Sequence, residues 1–105
     1  MTLTRLQFVP AYVAPEVWTT PTTAWDVRAY GSVSVQFVTT PGTAYQAQFS
    51  RDGTNYIDCI AYDQQGTPYS VISAAGIYLF PLAAGGYLKF STGAGSTLTR
   101  QAGAA

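Results

Sequence analysis

Between Val33 and Phe49 apolar and polar side chains alternate one for one: Val33, Val35 and Phe37 against Ser34 and Gln36, then Tyr45, Ala47 and Phe49 against Gln46 and Gln48. A period of two sends successive side chains to opposite sides of a strand, so each segment buries one face and wets the other. A Thr39-Thr40-Pro41-Gly42 turn separates these two segments. Asp52-Gly53 separates the second from a third, and its glycine can take the positive φ that a tight turn demands. Residues 32–62 therefore read as three antiparallel strands of a sheet with one solvated face. In the third, Ile57, Cys59 and Ala61 oppose Tyr56, Asp58, Ile60 and Tyr62, and the smaller set is assigned to the inside.

Residues 1–23 have a different character. Pro10, Pro15 and Pro21 each remove a ladder donor and bias the preceding residue towards extended geometry. The segment is expected to be an extended arm outside a domain that covers residues 24–105, with a short edge strand at residues 3–8. Phe8, Tyr12, Val13, Val17 and Trp18 are too apolar for a solvated tail, so the arm packs either on its own domain or on a neighbouring subunit. On this division, deleting residues 1–23 leaves a folded body.

The body continues with a strand around Trp25 and Val27, broken by Gly31. A loop at residues 63–68, a short strand at 69–73 and a strand at 77–80 stopped by Pro81 follow. Two more strands, at 87–91 and 97–100, precede a small-residue tail at 102–105 expected to fray. Seven to eight short strands without helical periodicity predict an all-β fold, an antiparallel β-sandwich, with a small β-barrel as the alternative. The expected core is Trp25, Val27, Val33, Val35, Phe37, Ala47, Phe49, Ile57, Cys59, Ile72, Leu79, Leu88, Phe90 and Leu98.

The chemistry that such a surface permits is narrow. There is no histidine, and one cysteine cannot form an internal disulfide or the usual zinc sites. No P-loop, dinucleotide or nucleophile-elbow pattern occurs. The carboxylates have structural explanations: Asp52 in its turn, Asp26 beside Arg28, Asp63 at a loop entry. Neither catalytic residues, a metal, nor a cofactor is expected, and the chain is not expected to be an enzyme. Five dispersed cations balanced by five acids do not make a nucleic-acid footprint. No apolar run has the length of a signal peptide or membrane span, so synthesis in the cytoplasm is expected. Only 10% of residues are charged, against roughly 25% in an ordinary soluble domain. Eight tyrosines exceed the need of one small core, and tyrosine suits positions where one end of the ring is apolar and the other wet. They sit at the sandwich rim, contact other subunits, or, at Tyr56, Tyr62 and Tyr69, stack on sugar rings.

Three stretches carry a resemblance: Ser50-Arg51-Asp52-Gly53-Thr54-Asn55-Tyr56, Gly76-Ile77-Tyr78-Leu79-Phe80-Pro81 and Gly86-Tyr87-Leu88-Lys89-Phe90. Over residues 24–101 the chain resembles small β-sandwich virion proteins of tailed bacteriophages, with Lys89 where that group carries arginine. The resemblance implies a virion structural protein, foremost a capsid decoration (cement) protein that binds the major capsid protein or another virion protein, often at three-fold positions. A homotrimer located in the virion is the corresponding expectation. The alternative is a carbohydrate-binding or adhesion module of a head or tail fibre. Phe8, Tyr12, Trp18, Tyr56, Tyr62 and Tyr69 are the candidate interface residues, and Asp52 and Gly53 the structural turn.

Overall fold

The computed structural model describes residues 12–81, 83 and 85–104. Ten strands follow one another: β1 (Tyr12–Val17), β2 (Trp25–Asp26), β3 (Tyr30–Phe37), β4 (Thr43–Ser50), β5 (Ile57–Asp58), β6 (Ala61–Tyr62), β7 (Pro68–Tyr69), β8 (Gly76–Leu79), β9 (Tyr87–Ala94) and β10 (Leu98–Ala104). They form two antiparallel sheets, one of six strands in the order β1-β10-β3-β8-β6-β7 and one of four in the order β2-β9-β4-β5. This is the expected antiparallel β-sandwich. Its core is filled by Trp18, Trp25, Val33, Val35, Phe37, Tyr45, Phe49, Ile72, Tyr78, Phe80, Leu88, Phe90 and Leu98, with smaller residues between them. Phe37 and Phe90 are the hubs: Tyr45 and Tyr78 stand edge-on to Phe37 at 5.0 and 5.6 Å, and Phe80 and Tyr45 edge-on to Phe90 at 6.0 and 5.6 Å, the geometry that ring quadrupoles favour.

The arrangement differs from the expectation in several ways, and the strand expected at 69–73 is reduced to Pro68–Tyr69 and an isolated bridge at Ile72. First, β3 and β4 alternate as expected but lie in opposite sheets, β3 between β10 and β8 and β4 between β9 and β5. Alternation fixes which face is buried and is silent on which strand lies alongside. Second, the third segment divides. Ile57 and Asp58 pair with β4, whereas Ala61 and Tyr62 pair with β7 and β8 of the other sheet, so the chain crosses the sandwich at Cys59 and Ile60. The crossing resolves the competition between its two faces: Cys59 and Ala61 are buried, while Ile57, on a two-residue edge strand, is 65% exposed.

Third, the boundary expected at residue 24 moves. From Tyr12 the segment read as an arm is the edge strand of the six-stranded sheet, paired with β10 from Tyr12↔Gly103 to Val17↔Thr99. Pro15 is tolerated because the register shifts between Val13 and Glu16 and because β1 is an edge strand among the described residues. Trp18, next in the chain, is only 4% exposed. Its indole lies 5.5 Å from Trp25 and 5.4 Å from Phe90, and its Nε1 donates to the Thr20 carbonyl. Fourth, the tail expected to fray is the end of β10, where Ala102 is buried opposite Val33. The strand proposed at residues 3–8 lies outside the described residues.

Arg100 closes the margin of the core. It stands opposite the buried Val35 and so faces inward. Its guanidinium lies 5.2 Å from the Trp18 ring centre and 4.7 Å from that of Trp25, and it pairs with Glu16 of β1 at 2.9 Å. The ion pair is half solvated and worth little by itself. Packing of the planar cation on two indoles is the larger contribution.

Candidate interaction surface

The Asp52 turn is held by hydrogen bonds from within the chain. Oδ1 of Asp52 accepts from the backbone N–H groups of Thr54 and Asn55, both at 2.8 Å, and from the Ser50 hydroxyl at 2.8 Å, while Oδ2 accepts from Asn55 Nδ2 at 2.7 Å. The Ser50 oxygen in turn accepts from Gly53 N–H at 2.9 Å. Four donors hold the Asp52 carboxyl well below the usual carboxylate range. Gly53 has φ of 78°, and a Cβ there would meet Tyr87 Cε1 at 3.2 Å. Gly53→Val is therefore expected to lower stability by about 1–3 kcal/mol through backbone strain. A thermal melt indistinguishable from that of the parent chain would contradict this.

Asp63 repeats the pattern one loop later. It accepts from the N–H groups of Gln65 and Thr67, both at 2.9 Å, and from the Tyr69 hydroxyl at 3.0 Å, and its carboxyl too is shifted down, first by the Thr67 amide. Asp26 is lowered by Arg28, whose Nη2 reaches it at 2.7 Å. These depressed values fix the sign of the pH dependence. Each carboxylate contributes stability that is fully present above its unfolded pKa near 4 and is lost as pH falls through the lower folded value. Melting temperature is expected to hold from neutrality to about pH 5 and to fall below about pH 4, with a smaller fall in Asp52→Asn. A flat profile down to pH 2 would contradict the account.

Every described carboxylate accepts a hydrogen bond from the chain itself, Asp58 from Gln48 and Glu16 from Arg100 completing the set. Every described cation lies over an aromatic ring: Arg28 over Tyr87, Arg51 over Phe49, Lys89 over Tyr56 and Arg100 over the two tryptophans. Among the described residues no group of three or more metal-ligating side chains comes together.

The two outer faces of the sandwich differ in charge. The four-stranded sheet presents Asp26, Lys89, Gln48 and Asp58, with Arg28 and Tyr56 folded over it. The six-stranded sheet presents Val17, Thr99, Gln36 and Ile77 in one row and Gln101, Ser34, Leu79 and Tyr62 in the next. No described residue of that outer face is charged. Its aliphatic members are well exposed, Val17 at 60%, Leu79 at 44% and Ile77 at 38%. Leu79 was expected in the core. The register instead sets Tyr78 opposite buried Val35 and turns Ile77 and Leu79 outwards, an inversion that arises because the phenol is apolar enough to be buried once its hydroxyl has the Ala74 carbonyl at 3.0 Å.

The candidate interface residues scatter over this frame. Phe8 lies outside the described residues, and Tyr12 opens β1 opposite Gly103. Trp18 is a core residue and presents no surface to a partner. Tyr62 lies half-buried on the uncharged face. Tyr69 stands at its margin, edge-on to Tyr78 at 5.6 Å, and Tyr56 covers Lys89 on the opposite sheet at 4.1 Å. Tyr56, Tyr62 and Tyr69 therefore do not share a platform on which one sugar ring would stack. The uncharged face was missed in the sequence, although Ser32, Ser34, Gln36, Thr99 and Gln101 spell out most of it.

No protein-family model matches the chain, and no curated protein matches its sequence. Among solved structures, the crystal structure of the SPBc2 prophage-derived protein YomS is similar to it, with a TM-score of 0.61 over 97% of this chain and 100% of that one. Sequence identity is 10%, so the likeness is one of fold.

Proposed function

We propose that the chain is a non-enzymatic structural protein of a phage virion, a capsid decoration protein that binds the assembled head and acts there as a homo-oligomer. The observation that carries the proposal is the division of its surface. The described charged side chains are tied to partners within the chain, whereas the outer face of the six-stranded sheet exposes aliphatic and amide side chains without one charge among the described residues. A chain of this kind gains from burial against protein, and among its described residues no metal-ligand set comes together. A fold shared over the full length of a prophage-derived protein supports the phage setting, as does the resemblance in residues 24–101. A phage capsid protein is the partner that this reading implies.

The test is cosedimentation of the purified chain with undecorated heads, alongside a glycan panel. Saturable pelleting with heads and no glycan retention is expected. Retention on glycans without pelleting would replace this reading with the fibre-adhesion one.

A further inference from the structure

Among the described residues, the six-stranded sheet carries a proline in each edge strand and leaves its outer face uncovered. Pro15 stands in one edge strand and Pro68 in the other, and each removes a donor that an added strand would need. Lateral extension is thus disfavoured at both sides, and the uncharged face remains. On that face a knob stands next to a hole. Leu79 borders a depression of about 180 Å³ whose other walls include Ser32, Ser34, Gln101 and Gly103. Gly103 helps to keep it open, because a Cβ at that position would collide with the Ser32 hydroxyl. A cavity of about 150 Å³ accommodates a benzene ring, so one aliphatic side chain fits.

We propose that this face is the contact between two copies of the chain, stacked sheet on sheet about a two-fold axis, an inference that builds on the assembly role above. A knob beside a hole is self-complementary under two-fold rotation: Leu79 of each copy enters the depression of the other. A face without charges stacks on its own copy without like-charge contacts, and it gives a charged partner nothing to recognise. With strands about 4.8 Å apart and about 3.3 Å per residue, the six strands give a face of roughly 450 Å². Two copies then bury about 900 Å², in the range of weak, reversible interfaces and below the roughly 1,200–2,000 Å² of stable ones, so the dimer is a weak one.

Sedimentation equilibrium of the full chain from about 1 to 500 μM tests this range of affinity. A monomer–dimer equilibrium is expected. Leu79→Glu and Ser34→Glu alter solvent-facing side chains, so each should retain the parent's melting temperature while weakening the dimer at least about 30-fold. Ser34→Lys mixed with Ser34→Glu should restore association that neither shows alone. A chain that stays monomeric throughout, forms the trimer implied by the family resemblance, or dimerises within threefold of the parent affinity as Leu79→Glu would overturn the proposal. Cosedimentation of the parent chain with heads in the absence of a dimer would sink this inference and leave the particle role standing. A dimer that ignores heads would do the reverse.

Discussion

Deleting residues 1–23 is expected to yield a chain without a cooperative unfolding transition. The deletion removes β1, which exposes the β10 ladder, and with it Trp18, whose indole completes the core between Trp25 and Phe90. It also removes the Pro21 carbonyl that accepts from Phe90 N–H at 2.9 Å. Trp18→Ala alone should cost about 3–5 kcal/mol, a large part of the roughly 5–15 kcal/mol that holds a small domain together. The ladder and the stranded Arg100 add to that. Urea titration of both variants by tryptophan fluorescence and circular dichroism is the check. A deletion variant that unfolds cooperatively within about 1 kcal/mol of the full chain would show that β1 is an accessory after all.

The second large effect is expected at Gly93. This residue of β9 has φ of 129°, and the Tyr45 ring of β4 lies against its Cα, so that an added Cβ would overlap ring carbons and come within 2.8 Å of the Tyr45 Cα. Tyr45 has no alternative position, because its ring is held edge-on by Phe37 and Phe90. Gly93→Ala combines backbone strain of about 1–3 kcal/mol with overpacking of about 1–3 kcal/mol. Tyr45→Ala removes the ring overlap but not the close approach to the residue-45 Cα, so the loss should shrink without falling to the strain alone, and a double-mutant cycle measures the ring's share. A Gly93→Ala loss below about 0.5 kcal/mol would contradict the close packing described here.

The parts of the fold that were legible in the sequence are those set by local rules. Strict alternation identified β3 and β4 and their buried faces, and Asp52-Gly53 marked its turn because only a few residue types satisfy one. Sheet membership was not legible, since pairing of β3 with β10 and β8 depends on partners about forty or more positions away in the chain. Trp18 was misassigned because prolines signal an arm by composition, whereas Pro15 is equally at home at the irregular point of an edge strand. The candidate surface was hidden by a single inversion. With Leu79 assigned to the core and Tyr78 left out of it, the uncharged rows that Ile77 and Leu79 complete with Gln36 and Ser34 did not appear.

The most direct measurement of the central claim is the pelleting of the purified chain with undecorated heads over a range of concentrations. The account predicts saturable binding at a fixed number of copies per head. A chain that remains in the supernatant at every concentration, while folded by circular dichroism, would contradict it.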